Sequence, residues 1–564
     1  MKLHPNNVKS PSMLLTIVAA GLYSYSLLEA KFEIGYLGSI SSFPLSFFIA
    51  LSLLTIASAI LWISPQPHGI LLCLQLGLFI MMLYLSPLAI GGIGAAQPGA
   101  SALYSEYGLN DYVFRTEHFG PPPDQLWRLY WPAGFLINNG IMSITGINDA
   151  NSILVLNIFI TIFIFPAIIF LFLNNILGKD KVNYCFAGTW IFVLGNFLLL
   201  YLTPAIVGYI MLFVIASILA STLAQEQHPV ISLPNKIVLL PLLLLLPTTH
   251  LLTAFVAVGM MLALMVMRKI NTLDLILVLV FMICAWSIYY TATFMSWNLP
   301  AYIENIKDSF RVDMLWNLGV SNRMMGSEAH QVINKLRLLF AAGFCIIGIV
   351  GGIIALGDKL NAKRNRFAIA TAAGILAVSL IISTSYSHEL IQRSFFFLLP
   401  VIAFFGVKML KYRVTAVVLI IILLVALPLR FVNLYGSAVI DYNSPAEISA
   451  SYFFHNHTDK GYVSSALLLF PLGYMENREE YTFLLFDQLT WEEGTPKPFG
   501  YPHYIYLRSV DKEIFDFLGP DAALGINPSI KQIASQLPQH MHDAIDYNST
   551  YVNPDLSIYS ARGP

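Results

Sequence analysis

The sequence predicts a polytopic α-helical membrane protein that ends in a soluble α/β domain, and three observations favour this fold class. The 564 residues are 57% hydrophobic and only 11% charged, with a mean hydropathy of +0.69. Apolar runs of roughly 20 residues, long enough to cross a bilayer as helices, recur up to residue 432. Beyond that point the runs stop and acidic residues become frequent. This composition argues against a soluble enzyme, a disordered chain or a protein that binds nucleic acid.

The apolar runs predict about thirteen transmembrane helices. The seventh run is short and bounded by Pro241 and Pro247, which is typical of a half-length helix paired with the eighth. All four cysteines lie inside apolar runs, where we expect small core side chains rather than disulfide partners or zinc ligands. The predicted segments lie near residues 12–30, 43–63, 69–91, 152–176, 184–201, 204–223, 236–247, 250–267, 273–293, 336–357, 366–385, 391–408 and 414–432.

The basic residues orient these segments, because short cytoplasmic loops of membrane proteins are enriched in lysine and arginine. With a cytoplasmic N-terminus, the basic clusters all fall on the cytoplasmic side: Lys179 and Lys181, Lys236, Arg268 and Lys269, Lys359 to Arg366, and Lys408 to Arg413. The outer loops are then residues 92–151 and 294–335. We expect a multi-pass protein of the cell membrane with a transmembrane domain at 1–432 and an extracytoplasmic domain at 433–564.

The C-terminal segment 433–564 has the mixed pattern of a folded α/β domain. A helix is predicted from Ser444 or Pro445, and strands are predicted at Gly461–Leu468, Tyr504–Leu507 and Leu556–Tyr559. Triplets that permit N-glycosylation begin at Asn456 and Asn548. They fit an external location, although such triplets also arise by chance.

The first outer loop combines carboxylates, bases and aromatic side chains at the expected membrane surface. Aromatic residues collect at that surface in many membrane proteins, but this tendency does not explain the density of acids. Residues 131–148 are apolar and interrupted by proline, glycine and asparagine, so we expect an amphipathic or re-entrant helix rather than a crossing. The loop's candidate functional residues are Glu106, Asp111, Arg115, Tyr130 and Trp131.

With these features the chain resembles the GT-C superfamily of membrane glycosyltransferases, particularly archaeal and bacterial members that use polyprenyl-phosphate sugars. The resemblance covers the architecture of most of the chain and four short motifs: DYVFR at 111–115, YWPAG at 130–134, PTTHLLT at 247–253 and HELIQR at 388–393. The WWDYG motif of oligosaccharyltransferases does not occur in the sequence. The resemblance implies transfer of a sugar from a polyprenyl-phosphate donor to a glycan, glycolipid or protein acceptor at the extracytoplasmic face.

The resemblance also implies a division of chemical roles. A carboxylate of the first outer loop takes the proton of the acceptor hydroxyl, and a cation stabilises the departing phosphate. Asp111 is the first candidate base and Glu106 the second, with a solvated loop carboxylate as the alternative for each. Whether Mg²⁺ or Mn²⁺ takes part is left open, since the loop has oxygen ligands but no diagnostic spacing.

Arg393 is the leading candidate for binding the donor phosphate, because a guanidinium binds phosphate oxygens in a bidentate manner. The alternative is an interfacial arginine directed at lipid headgroups. His388 and Glu389 precede it on one predicted helix, where Glu389 is placed to hold the arginine. His250 lies between the seventh and eighth segments, either as a binding residue or as a helix cap. The donor-binding set is completed by Tyr130, Trp131 and Arg115.

Two other functions remain open at the level of sequence. A noncatalytic subunit with a GT-C-like scaffold would use the acidic domain to bind partners. A lipid or solute transporter would need ionisable residues inside the spans, and the predicted spans carry almost none at mid-depth. Corresponding broken helices in two halves, as in inverted-repeat transporters, are not found in the sequence.

Overall fold

The computed structural model describes most of the helical part of the chain and the central strands of the C-terminal part. The described residues are 8–96, 100–117, 128–147, 149–196, 202–222, 231–267, 270–308, 327–358, 361–382, 387–458, 461–465, 482–485, 491–492, 495–496, 503–508, 547–553 and 556–561. Their helices, in chain order, are α1 (Lys9–Glu29), α2 (Leu45–Trp62), α3 (Gly69–Ile80), α4 (Ser86–Gly91), α5 (Ile93–Ala96), α6 (Ala100–Thr116), α7 (Ala133–Thr145), α8 (Ala150–Leu177), α9 (Val182–Gly195), α10 (Pro204–Ser221), α11 (Leu233–Thr249), α12 (Leu251–Val266), α13 (Leu273–Tyr289), α14 (Ala292–Asp308), α15 (Glu328–Leu356), α16 (Ala362–Ile382), α17 (Ser387–Gly406), α18 (Arg413–Tyr435), α19 (Ala438–Asp441) and α20 (Pro445–His457).

The chain has the helical architecture of a polytopic membrane protein. Each of the predicted apolar segments contains a helix. Of the helices in the described ranges, nine are long and apolar enough to cross a membrane, and the pair α13 and α14, bent by 102°, is a tenth candidate. Helices α9, α11 and α12 are apolar but shorter, with 10–17 residues. The membrane fold is therefore confirmed in its class, whereas thirteen full crossings are not shown.

One face of α18 exposes a continuous apolar stripe. Val414 is 75% exposed, and Val417, Val418, Ile421 and Val425 follow it at helical spacing, each more than 40% exposed. The opposite face, with Leu419, Leu423 and Leu427, is buried in the bundle. Exposed aliphatic side chains in this arrangement are typical of a helix that faces lipid, and we call them the α18 stripe.

Helices α12 and α16 cross at a pair of glycines. A Cβ atom on Gly374 would lie 2.3 Å from the carbonyl oxygen of Gly259, and a Cβ atom on Gly259 would lie 2.8 Å from that of Gly374. Small residues permit such close approach in a lipid environment, where packing rather than exclusion of water holds helices together. Because α16 leads into α17, this crossing sets the position of α17 relative to the start of α12.

Helices α6 and α7, from the loop predicted to be the first outer loop, pack at the end of the bundle where α17 begins, which we call the Arg393 end. A Cβ atom on Gly134 of α7 would lie 2.5 Å from the backbone nitrogen of Pro204, the first residue of α10. The amide of Asn138 donates to the carbonyl oxygen of Leu202 at 3.0 Å. Helix α7 thus forms within the segment 131–148 that predicted a surface helix, and its Ile144 is 88% exposed.

The C-terminal segment contains a five-stranded mixed sheet and a helix that packs on it. The strands are β1 (Tyr462–Ser465), β2 (Thr482–Leu485), β3 (Trp491–Glu492), β4 (Thr495–Pro496), β5 (His503–Arg508), β6 (Tyr547–Asn553) and β7 (Leu556–Ala561). Their order in the large sheet is β2-β1-β5-β7-β6, with β1 parallel to β2 and β5 and with β7 antiparallel to its neighbours. The predicted helix near Pro445 and the three predicted strands match α20, β1, β5 and β7.

A capping box fixes the start of α20. The Ser444 hydroxyl accepts a hydrogen bond from the backbone of Glu447, whose carboxylate accepts one from the backbone of Ser444. The same carboxylate forms a buried ion pair with Arg508 of β5. One side chain therefore both begins the helix and joins it to the sheet.

Helix α20 also packs on α6. Tyr104 and Tyr107 of α6 are almost fully buried, and Ile448 and Tyr452 of α20 pack against the cluster that contains them. A Cβ atom on Gly94 would lie 2.0 Å from the carbonyl oxygen of Asn443, so the chain before α6 also touches the approach to α20. Helix α20 therefore covers one side of α6. We call the five-stranded sheet and α20 together the sheet domain.

We predict that Gly374→Ala destabilises the protein by about 1–3 kcal/mol, because the added methyl group would overlap a backbone carbonyl that cannot move away. Gly352→Ala on α15 is the matched control, since no atom lies within 4 Å of its Cβ position. Alanine favours a helix over glycine by about 1 kcal/mol, so the control should keep or raise Tm. Thermal unfolding in detergent gives the comparison, and equal Tm values for both variants would contradict the proposed role of the crossing.

His503 provides a pH-dependent contribution to the stability of the sheet domain. Its side chain is fully buried with Nε2 2.8 Å from the Ser464 hydroxyl, and burial lowers its pKa to about 4 from the ordinary 6.5. Between these values the unfolded chain binds the extra proton, so stability falls as the pH falls.

We expect the sheet domain to lose about 2 kcal/mol of stability between pH 7.5 and pH 5. Limited proteolysis at the two pH values measures the loss as faster cleavage after residue 443. His503→Asn removes the titrating group and should flatten this dependence even if it lowers stability throughout. An unchanged pH dependence in the variant would show that another group is responsible.

Candidate functional site

Arg393 and His250 meet at the Arg393 end of the bundle although 143 positions separate them in the sequence. Arg393 lies in the second turn of α17, and His250 lies between α11 and α12 in an extended conformation with φ −162°. Nη1 of Arg393 is 3.0 Å from Nε2 of His250. On the other side of the ring, Nδ1 is 2.8 Å from the hydroxyl of Thr253.

This geometry assigns the proton of the imidazole. A guanidinium has only N–H donors, so Nε2 of His250 has to accept the hydrogen bond from Arg393. The proton is then on Nδ1, which donates to Thr253, and the ring is neutral. His250 therefore acts as an acceptor that orients the guanidinium, and the positive charge of the pair remains on Arg393.

Aromatic side chains and a glycine surround the pair. A Cβ atom on Gly208 of α10 would lie 3.1 Å from Cβ of His250, so the absence of a side chain there lets α10 approach the histidine. The ring of Tyr209 meets the imidazole edge-on at 5.7 Å and packs against Phe396 and Phe397 of α17. This apolar surrounding leaves both side chains of the pair only partly exposed, which strengthens the hydrogen bond between them.

The two candidate bases are buried ion-pair partners rather than solvated loop carboxylates. Asp111 and Glu106 are each 7% exposed. Oδ2 of Asp111 is 2.7 Å from Nε of Arg115, one turn later on α6, and Oε1 of Glu106 is 2.8 Å from Nη1 of Arg128. Arg128 was not among the predicted site residues, because nothing in the sequence indicates that it folds back over 22 positions to meet Glu106.

Helix α10 connects the acidic helix with the Arg393–His250 pair. Its first residue, Pro204, contacts Gly134 of α7, and Gly208, one turn later, contacts His250. One turn corresponds to a rise of about 6 Å. Helix α7 in turn packs on α6 through Phe135, which lies in one cluster with Leu109 and Val113. The Asp111 helix and the Arg393–His250 pair therefore lie at the same end of the bundle.

Tyr130 and Trp131 are packing residues in this structure. They are 4% and 8% exposed, and the Trp131 ring meets Phe294 of α14 edge-on at 5.1 Å. The indole of Trp286 donates to the carbonyl oxygen of Tyr130 at 3.2 Å. Together they hold the bend between α13 and α14 against the first outer loop.

The remaining predicted residues are placed only by their backbone or lie at the surface. His388 and Glu389 are in the first turn of α17, before Arg393, and their side chains are outside the described part. Asn456 is exposed at the end of α20, and Asn548 lies in β6 with a side chain outside the described part. In the described ranges no three His, Cys, Asp or Glu side chains are grouped so that they could hold a metal ion.

Arg430 is a charged residue whose structural role the sequence reasoning missed. It lies inside α18 with only 1% of its surface exposed. Nη1 donates to the carbonyl oxygens of Leu194 and Asn196, and the guanidinium is 4.7 Å from the ring of Tyr84. The arginine therefore caps the C-terminal end of α9, where carbonyl groups and the helix dipole favour a cation. An arginine inside a predicted span was the available signal.

No protein-family model matches the chain, and no curated protein matches it. The chemistry of the site thus follows from its side chains. The Arg393 end offers an oriented guanidinium beside lipid-embedded helices and, on neighbouring helices, two buried carboxylates. A cation suits phosphate, and a carboxylate suits a hydroxyl that loses its proton.

We predict that His250→Phe keeps the ring packing against Tyr209 but costs about 1–2 kcal/mol, because Nη1 of the half-buried Arg393 loses the acceptor that the imidazole provides. His250→Gln retains an acceptor and should cost less. Unfolding of both variants in detergent measures the difference. A phenylalanine variant as stable as the glutamine variant would show that the hydrogen bond does not hold Arg393.

Proposed function

We propose that the protein is a GT-C-type glycosyltransferase that moves a sugar from a polyprenyl-phosphate donor to an acceptor at the extracytoplasmic membrane face. The observation that carries the proposal is the Arg393–His250 hydrogen bond at the end of the bundle that also holds the acidic helix α6. The resemblance of residues 111–115, 247–253 and 388–393 to GT-C motifs agrees with it.

In this proposal Arg393 binds the phosphate of the donor. A guanidinium has five N–H donors in a fixed plane, so it can bind His250 and phosphate oxygens together. His250, fixed by Thr253, sets the direction of that plane. The arginine also stabilises the negative charge that grows on the phosphate as the sugar leaves.

Asp111 is the proposed general base, with Glu106 as the second candidate. The oxygen of the acceptor hydroxyl bonds to the anomeric carbon of the sugar while the bond from that carbon to the phosphate oxygen breaks. The bonding electrons leave with the polyprenyl phosphate, and the hydroxyl proton passes to the carboxylate. Arg115 orients the carboxylate of Asp111 and offsets the cost of burying its charge.

The proposed topology has thirteen crossings and a cytoplasmic N-terminus, so that the Arg393 end faces outward. Lys181, Arg364, Lys408 and Lys411 lie at the opposite end of the bundle, which agrees with the enrichment of basic residues on the cytoplasmic side. The sheet domain, which follows α18 and packs on α6, then lies outside the cell.

A second candidate function is a noncatalytic scaffold. Two observations favour it: both carboxylates are engaged by arginines, and α20 packs on the helix that carries them. In a scaffold these contacts would only hold the sheet domain in place, and the protein would bind partners without turnover.

We predict that Asp111→Asn abolishes sugar transfer by the purified full-length protein, because an amide cannot accept the proton, while Tm stays within a few degrees of the wild type. The assay presents a panel of polyprenyl-phosphate sugars with glycan, glycolipid and peptide acceptors, with and without Mg²⁺ or Mn²⁺. The product is measured by mass spectrometry.

Asp149→Asn is the matched control in the same loop. Asp149 caps α8 by accepting a hydrogen bond from the backbone of Ser152, and asparagine caps a helix equally well. This variant should retain full transfer. Turnover by Asp111→Asn would remove Asp111 from the mechanism, and no turnover by the wild type with any donor would favour the scaffold.

A further inference from the structure

Basic side chains from three loops come together at the end of the bundle opposite Arg393, which we call the Lys408 end. The loops are the turn Lys179–Lys181 after α8, the connection from α15 to α16, and the turn Val407–Lys411 after α17. Lys408 follows Arg393 by 15 positions along one continuous helical segment, or roughly 22 Å. These loops are therefore separate from the candidate site.

Specific contacts hold the three loops against one another. Nζ of Lys408 is 3.9 Å from Oδ2 of Asp358 and 4.9 Å above the ring of Phe404. Nη1 of Arg364 donates to the carbonyl oxygen of Leu177 at 2.7 Å, which joins the α15–α16 connection to the end of α8. The basic surface is thus formed by packed structure rather than by separate extended side chains.

Positive charge exceeds negative charge on this surface. The described residues of the three loops and the helix starts that follow them carry seven basic side chains and two acidic ones. Three cations, Lys181, Arg364 and Lys411, act electrostatically on Lys408. The acidic side chains are Asp180 and Asp358; the basic ones are Lys181, Lys363, Arg364, Arg366, Lys408, Lys411 and Arg413.

Asp358 already has partners within the surface. The amide of Asn361 donates to its carboxylate at 2.8 Å, and this hydrogen bond, together with the nearby Lys408 and Lys411, lowers the pKa of Asp358. The carboxylate therefore stays ionised at neutral pH and neutralises part of the charge. Most of the surplus remains for an anion from outside the chain.

The α18 stripe begins directly beside this surface. Tyr412 is 53% exposed and Val414 is 75% exposed, and they adjoin the exposed bases Lys411 and Arg413 in the sequence. The stripe then continues along α18 to Val425. Cations next to an apolar, lipid-facing strip match a molecule with an anionic headgroup and hydrocarbon chains.

We propose that this surface binds an anionic phospholipid of the adjacent leaflet. Lys411 and Arg413 contact the phosphate, Lys408 and Arg364 add positive charge behind them, and the acyl chains lie along the α18 stripe. Basic pockets between membrane helices recognise such headgroups by the same chemistry. The proposal does not depend on glycosyl transfer.

The test titrates the detergent-solubilised full-length protein with dihexanoyl phosphatidylglycerol, dihexanoyl phosphatidylcholine or inorganic phosphate, and follows binding by calorimetry and by Tm. We expect phosphatidylglycerol to bind and raise Tm far more than the other two. The double variant Lys411→Gln, Arg413→Gln should weaken its binding about 30-fold, as expected for two cations near an anionic headgroup.

The matched control removes the same charge from the opposite end. Lys31 and Lys335 are exposed cations on the chain before α2 and near the start of α15, so Lys31→Gln, Lys335→Gln should bind phosphatidylglycerol as the wild type does. Equal binding of phosphatidylcholine would overturn the role of the anionic headgroup. Equal binding of phosphate would overturn the role of the acyl chains, and equal losses in both double variants would overturn the location.

A second measurement keeps the proposal testable if the Lys411 and Arg413 variant loses its fold. Raising the salt concentration from 50 to 300 mM should weaken the binding of phosphatidylglycerol to the wild type, since salt screens exposed charges. The binding of phosphatidylcholine should not change. Salt-independent binding of phosphatidylglycerol would overturn the proposal.

Discussion

The approach of Gly259 to Gly374 is the contact on which the arrangement at the Arg393 end depends. The backbones of α12 and α16 meet there without intervening side chains. A Cβ atom on Gly374 would lie only 2.3 Å from the carbonyl oxygen of Gly259. His250 lies at the N-terminal end of α12, and α17, which carries Arg393, is the next helix after α16. A change in the separation of α12 and α16 would therefore move the imidazole and the guanidinium apart. Gly208 has a similar role, because it lets α10 approach the histidine from the other side.

The buried side chains of Asp111, Glu106 and Arg430 and the half-buried Arg393 each have a partner of suitable chemistry. Asp111 and Glu106 have arginines, Arg393 has a neutral imidazole, and Arg430 has the carbonyl end of α9. Taking an ion out of water costs several kcal/mol, and such partners offset much of that cost. The partners differ in charge, however. The two carboxylates are paired with arginines, whereas the neutral imidazole of His250 adds no negative charge beside Arg393.

The sequence predicted what depends on local pattern. Hydropathy located the apolar helices, and the Ser-Pro-Ala-Glu start of α20 is visible because a capping box needs only four consecutive residues. Hydropathy did not separate the helices that are long enough to cross a membrane from shorter apolar helices such as α9. It also gave no indication that packing against α14 buries Tyr130 and Trp131.

Pairings between residues that lie far apart in the sequence cannot be predicted from local sequence patterns. The residue type and position of Arg393 and Asp111 predict that they are functional residues. Nothing in one sequence, however, indicates that an imidazole 143 positions away accepts a hydrogen bond from Arg393. The pairing of Arg128 with Glu106 and the capping of α9 by Arg430 are similar cases, because each depends on how helices pack. Only short-range pairs, such as Asp111 with Arg115 at i, i+4 spacing, follow from local geometry.

The packing of α20 on α6 gives the sheet domain a role in the proposed reaction. Tyr104 and Tyr107 lie within two turns of Asp111 on the same helix. Ile448 and Tyr452 of α20 pack against the cluster that contains both tyrosines. Under the proposed function, an acceptor that reaches Asp111 would lie close to α20, so the surface of the sheet domain would influence which acceptors fit. The proposed donor, in contrast, would reach Arg393 from the membrane. Different parts of the protein would then select the two substrates of the proposed transfer, the sheet domain the acceptor and the helical bundle the donor.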